Sequence, residues 1–318
     1  MINTVRNTVL SVLNKNNYGY LSPSDFNLFA KQAQLDIFES YFYQYNYQIN
    51  KENARQSGTG IADIRKGIEE AIDTFSVTKG LNLNEENSYF LPSRFTTGDD
   101  YYLINKVLVY KEVLTEGTTT GNVGGANKLI DSNADFIADL VQAGDIVALE
   151  SGSVEYVKVI SVDSATEITT TGNLWTVIGT PYAIYRKGTQ QNEAEKVSHS
   201  KITMLNNSML TSPTFVYPAY TQENTTLDAF PDGINSIGRV IAQYFRYPAE
   251  PRWTYTSLTN GEPMYDSSQP DHQDFELPLE EEANLIRKIL QYAGVSIREG
   301  EVYQFAQSEE NEEKQGKA

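Results

Sequence analysis

The sequence predicts an α+β chain in which an N-terminal helical bundle joins a mixed α/β C-terminal part, with a small all-β barrel or sandwich inserted between them. Three observations predict it. Apolar residues recur at helical spacing through the first quarter. Five short β-prone runs separated by turn residues fill the stretch between Glu116 and Lys187. Past that stretch, strand-like and helix-like segments alternate without a repeat.

Ile2, Val5, Val9, Val12 and Leu13 form one stripe of a short amphipathic helix. Leu21-Ser22-Pro23-Ser24-Asp25-Phe26 then marks a helix start. Ser22 is the N-cap, Pro23 the first helical residue and Asp25 the acid three positions after the cap, with Leu21 and Phe26 as a hydrophobic staple. Phe29, Ala30, Ala33, Ile37, Tyr41 and Tyr45 carry that helix into the Tyr-rich stretch up to Tyr47, and Ile61, Ile64, Ile68, Ile72 and Phe75 outline a third.

From Tyr101 to Val113 the composition turns to Val, Ile and Tyr, as strands require. The β-prone runs after it are read as an insertion at 116–187 into a host made of 1–115 and 188–307, leaving 308–318 as an acidic tail expected to stay mobile. Glu193 to Leu210 reads as helical, and Thr214 to Tyr217 as extended. Arg239 to Tyr247 fits either strand or helix, and Asn260-Gly261 favours a tight hairpin turn. Glu280 to Tyr292 reads as a helix with Pro278 in its first turn, acids at its start, Arg287 and Lys288 near its end, and Gly294 as its stop.

The composition narrows the function. With 318 residues, more than one folding unit is expected. A formal charge of −17 opposes a dedicated nucleic-acid binder, because neutralising phosphates needs clustered Lys and Arg. The absence of Cys removes disulfides, thiolate metal sites and Cys nucleophiles. No long apolar run follows Met1, so a start in the cytosol without signal peptide or membrane span is expected. The 21 Tyr and 13 Phe supply wide apolar area whose tyrosine hydroxyls can stay wet, as at protein interfaces.

Residues with chemical potential each have a plainer reading. Asn14 to Gly19 with Asp25 is a poor match to a calcium loop, since Asn opens it and the final Glu is replaced by Asp. His199 between Ser198 and Ser200 lacks any nucleophile elbow. Asp271-His272-Gln273-Asp274 offers cation donors in a polar loop, and Asp99-Asp100 and Glu85-Glu86 are adjacent acids that point apart. Trp175, Tyr182 and Tyr185 could stack on a sugar but fit core packing better. Gly58-Thr-Gly60 lacks the remainder of a phosphate loop, and the sequon patterns ending in Asn207-Ser208 and running from Asn224 to Thr226 carry no meaning in a chain expected to stay unsecreted. We therefore expect no enzyme, no catalytic residues, no cofactor and no metal. Phe38, Tyr41, Phe42, Tyr45, Tyr47, Trp253, Tyr255, Tyr303 and Phe305 are the candidate interface residues.

One resemblance extends this reading. The stretch from Tyr20 through Leu21-Ser22-Pro23-Ser24-Asp25-Phe26 to Phe38 resembles the opening of virion structural proteins of crAss-like and related short-tailed phages. Lys201 to Pro213, Arg246 to Tyr255 and Asp274 to Ile286 resemble them too. The segment with Lys128-Leu-Ile-Asp-Ser-Asn-Ala-Asp-Phe and Gly144-Asp-Ile-Val is similar to a β module of many phage structural proteins. The resemblance implies a virion subunit that forms a homomeric ring in the neck, following the portal's twelve-fold symmetry. Portal and other neck or tail proteins would be its neighbours, and DNA would pass through without specific binding. The alternative is a peripheral tail component that docks fibres or binds host-surface glycans through the β insert.

Overall fold

In a computed structural model, the described residues are 1–14, 21–53, 64–121, 127–172, 177–187, 191–258 and 262–296, with isolated positions 304, 307 and 308. The chain is α+β. Helices are α1 (Ile2–Asn14), α2 (Pro23–Asn53), α3 (Ile64–Asp73), α4 (His199–Asn206) and α5 (Glu282–Ser296). Strands are β1 (Ser76–Gly80), β2 (Leu83–Glu85), β3 (Ser88–Phe90), β4 (Tyr101–Tyr110), β5 (Val113–Thr118), β6 (Lys128–Ile130), β7 (Ile146–Ser151) and β8 (Ser153–Val162). They continue as β9 (Glu167–Thr170), β10 (Pro181–Tyr185), β11 (Gln191–Lys196), β12 (Ala219–Glu223), β13 (Thr226–Phe230), β14 (Val240–Arg246), β15 (Tyr255–Ser257) and β16 (Pro263–Tyr265). Two compact units result, one from 1–75 with 247–318 and one from 76–246.

In the first unit, α1 buries Ile2, Val5, Val9 and Leu13 and packs against α5, while α2 packs against α3 and α5. The predicted cap of α2 forms: the Ser22 hydroxyl accepts the Asp25 backbone N–H at 3.1 Å and donates to its carboxylate at 2.6 Å. That satisfies one of the free amides at the helix start. Phe26, Ala30, Ala33, Ile37, Phe38 and Tyr41 form the buried face, and no α2 residue past Tyr41 with a described side chain is buried.

Gln34, buried in that face, donates to the Ala249 carbonyl at 2.7 Å and accepts the Glu276 N–H at 3.2 Å. It thereby fastens the returning chain to α2. Trp253 exchanges two hydrogen bonds with the Asn27 side chain and donates its indole N–H to Asn3, while Arg6 lies 3.8 Å over its ring. The α5 helix starts two residues later than expected, after a 3-10 turn at Leu279–Glu281, and runs through Gly294 to Ser296. Gly294 is buried, so packing overrides the roughly 1 kcal/mol that glycine costs inside a helix.

The second unit holds two curled sheets of half-barrel form. The larger runs β1-β14-β4-β11-β12-β13-β3-β2, antiparallel except where β11 meets β12. The smaller, β5-β10-β7-β8-β9-β6, is antiparallel throughout and gathers the β-prone runs of residues 113–185. Between the sheets lies a cluster of Tyr110, Ala148, Val154, Ala183, Tyr185 and Ile241. Its tyrosines reach across: Tyr156 donates to the Gly238 carbonyl at 2.8 Å and Tyr185 to the Ile237 carbonyl at 2.5 Å. Gly238 has φ +65°, and a Cβ there would lie 2.6 Å from that of Ala148. Only glycine meets both conditions.

Three local expectations change. Gln191 to Lys196 is a strand, with Ala194 turned inward between β4 and β12, and helix α4 begins only at His199. Ladder bonding outweighs the helix-favouring Glu, Ala and Lys there. Thr214 to Tyr217 is a bend closed by mutual bonds between Thr214 and Tyr217. The ambiguous run is strand β14, held between β1 and β4. Residues 15–20 with Gly19 and Tyr20, Gly58 to Ile61, Trp175, Asn260-Gly261, Tyr303, Phe305 and the tail past Ser308 lie outside the described residues.

Candidate interaction surfaces

Beside strand β5 lies a shallow cleft of about 450 Å³, lined by Glu112 to Glu116, Ser236 and Arg239. Arg239 is buried, and its guanidinium donates to the carbonyls of Tyr110 at 3.0 Å, Lys111 at 3.0 Å and Gly233 at 2.6 Å. Burial lowers its pKa from the ordinary arginine value, but it has no need to release a proton beside three carbonyl oxygens. Its other face covers the Phe215 ring at 5.0 Å. This side chain joins three loops and offers no free donor fork to a ligand.

The other residues singled out for chemistry are dispersed. Asp25 serves the α2 cap. His199 is exposed, 3.3 Å from the Gln222 carbonyl and 3.8 Å from the Glu223 carboxylate, while Ser198 and Ser200 face each other at 3.4 Å. In the tetrapeptide, Asp271 pairs with Arg252 and His272 contacts Thr254 and Tyr265. Gln273 bonds to the Arg252 backbone, and Asp274 binds the Met1 ammonium at 2.9 Å and the Ile2 N–H at 2.7 Å. Burial alone would raise the Asp274 pKa, yet these donors and the Phe275 amide hold it below the usual carboxylate value.

Asp99 pairs with Lys79 at 2.8 Å, and Asp100 accepts the Arg94 N–H. Tyr182 and Tyr185 are core residues, Tyr182 donating to the buried Asp131 at 2.8 Å, so neither presents a face to a sugar. Among the described residues no three acids or histidines gather as a metal site, and no helix is long and apolar enough to cross a membrane.

The expected interface aromatics divide. Phe38, Tyr41 and Trp253 lie in the core of the first unit, Phe38 edge-on to Phe75 at 5.0 Å and to Phe42 at 5.2 Å. They present no surface to a neighbour. Phe42 and Tyr45 are half-buried, with the Tyr45 hydroxyl donating to Glu69, and Tyr47 and Tyr255 are exposed. Composition could not separate these groups, because an aromatic ring suits a core and an interface equally well.

The most exposed apolar side chains lie elsewhere. Met209, Leu210 and Phe95 are essentially fully in water, at 101%, 97% and 98% exposure, and Met204, Tyr217 and Tyr43 are largely so. Met209 and Leu210 follow helix α4 in a loop fixed by turns at Ser208 and by the buried Pro213. One signal could have found this loop: from Ile202 to Gln222 there is no Asp, Glu, Lys, Arg or His.

No protein-family model matches the chain, and no curated protein matches its sequence.

Proposed function

We propose that this chain is a non-catalytic structural subunit of a tailed-phage virion, forming a ring in the neck between portal and tail. The observation that carries the reading is the set of apolar side chains that stand in water, foremost Met209, Leu210 and Phe95. Each such side chain forgoes roughly 1.5–3 kcal/mol of burial while the chain is alone and regains it on assembly. Isolated exposed apolar residues are ordinary, whereas a fixed loop presenting several of them is the surface of a protein that spends its life in contact. The stretches around Tyr20 to Phe38, Lys201 to Pro213 and Arg246 to Tyr255 add the resemblance to short-tailed phage virion proteins.

In this reading the subunit repeats around a closed ring, with the portal above and tail components below. The acidic surplus faces the channel in part, where like charge keeps passing DNA from adhering. The buried Arg239 and the dispersed acids maintain the subunit's shape.

Antibody labelling of intact particles tests the placement. Gold at the head–tail junction is the expected result. Label confined to the fibre tips, or none on mature particles, overturns it, and a strongly basic lumen in an assembled ring overturns the channel assignment.

A further inference from the structure

We infer that two exposed apolar segments of the second unit, each within an uncharged run of sequence, are the two unlike halves of a head-to-tail contact between copies of this chain. The inference rests on the ring reading above and names the contact that closes the ring.

The first surface is the loop after α4, where Met209, Leu210, Val216 and Tyr217 are exposed. The second is the turn before β10, where Val177 and Ile178 are 63% and 60% exposed. Each belongs to a long uncharged run, Ile202 to Gln222 and Ile168 to Tyr185. These are the two longest such runs in a chain where 21% of residues are charged.

Charge decides the occupant. A basic partner would gain most from the acidic remainder of the surface and would have no use for its neutral parts. A second copy carries the same −17 and is repelled by every acidic face it meets. Like-charged copies approach at least cost where neither carries charge, and apolar burial there supplies the attraction. Exposed apolar segments that carry no charge of their own, on a chain that is acidic elsewhere, therefore fit another copy of that chain.

Position decides the geometry. Phe215, at the foot of the first surface, lies over Arg239, which bonds to the Tyr110 and Lys111 carbonyls just before β5. The second surface is tied beyond the far end of that strand: the Thr119 hydroxyl donates to the Val177 carbonyl at 3.1 Å, and the Gly179 N–H donates to the Thr119 carbonyl at 2.7 Å. Strand β5 spans about 17 Å between them at roughly 3.4 Å per residue. Two different patches at opposite ends of one strand can each face the unlike patch of a neighbour, and the ring reading selects the head-to-tail arrangement over a two-fold pair. They suit a heterologous contact, in which the loop of one copy meets the turn of the next and the rotation closes a ring.

The test uses the full chain and native mass spectrometry. Wild type is compared with a loop variant, Leu210→Glu, and a turn variant, Ile178→Glu, with Leu210→Lys and Ile178→Lys as counterparts of opposite sign. Both substituted positions, Leu210 and Ile178, are exposed, and circular dichroism confirms folding. The expected result is closed oligomers for wild type and monomers for every variant, the contact weakening at least about tenfold as for a central interface residue. A mixture of loop variant with turn variant then yields 1:1 dimers, because one intact loop meets one intact turn and growth stops there. Closed oligomers from the variants, or no dimer in the mixture, overturn the contact and leave the ring reading standing. Wild type that remains monomeric at high micromolar concentration overturns both.

Discussion

The guanidinium of Arg239 donates through Nε to the carbonyl oxygen of Tyr110, the last residue of the longest strand in the larger sheet, 3.0 Å away. The same group holds the Lys111 carbonyl one residue on, where the chain leaves that sheet for the smaller one. One buried cation thus fixes the crossover between the two sheets of this unit.

Arg239→Leu is expected to destabilise the second unit by about 2–4 kcal/mol, because three backbone carbonyls lose their donor at once. Arg239→Lys recovers only part, since an ammonium cannot reproduce the planar fork. Urea denaturation followed by circular dichroism measures both. A loss under about 0.5 kcal/mol for the leucine variant would show that the carbonyls find other partners.

Gly238→Ala is expected to cost about 2 kcal/mol or more, from the positive φ and from the crowding against Ala148. Ala148→Gly in the same chain should relieve the closest contact and leave the backbone strain together with the tighter approach to Val154 and Tyr156. Thermal melting of the single and double variants isolates the share that belongs to the Ala148 contact.

Tyr156 and Tyr185 have pKa values raised well above the ordinary 10.0, and Tyr89 is raised too, with burial the main cause in each. A tyrosine raised in the folded state contributes stability that is fully present below its unfolded pKa and is lost as pH rises through the folded value. Stability should therefore hold up to about pH 10 and fall beyond it. Absorbance at the tyrosinate band should show a fraction of the 21 tyrosines ionising only together with the loss of β-sheet signal. Smooth ionisation of all of them in the folded protein would contradict the burial described.

Ser22→Ala should destabilise the first unit by about 1 kcal/mol, with Ser22→Thr close to wild type, because a hydroxyl at this position both accepts the Asp25 amide and donates to its carboxylate. Chemical denaturation of the three proteins checks the order.

Much of the fold was legible where local chemistry is decisive. The Ser22-Pro23-Asp25 cap and the Ile2, Val5, Val9, Leu13 stripe needed no tertiary information, and the alternating runs of residues 113–185 carried their own strand signal. Glu193 to Lys196 reads as helical on local grounds, and its strand state comes from bonds to β4 and β12, partners that no local window contains. The surface aromatics were harder still. Phe38 and Tyr41 resemble Phe42 and Tyr45 in type and neighbourhood, and only the helix phase relative to the returning chain decides which are buried. Met209 and Leu210 read as the end of a helix from Glu193 to Leu210, whereas α4 stops at Asn206 and turns at Ser208 carry them into water.

Electron microscopy of the purified full chain tests the central claim most directly. The account predicts closed rings of one diameter with cyclic class averages, at a symmetry that matches the portal. A field of monomers, or open filaments without closure, would contradict it.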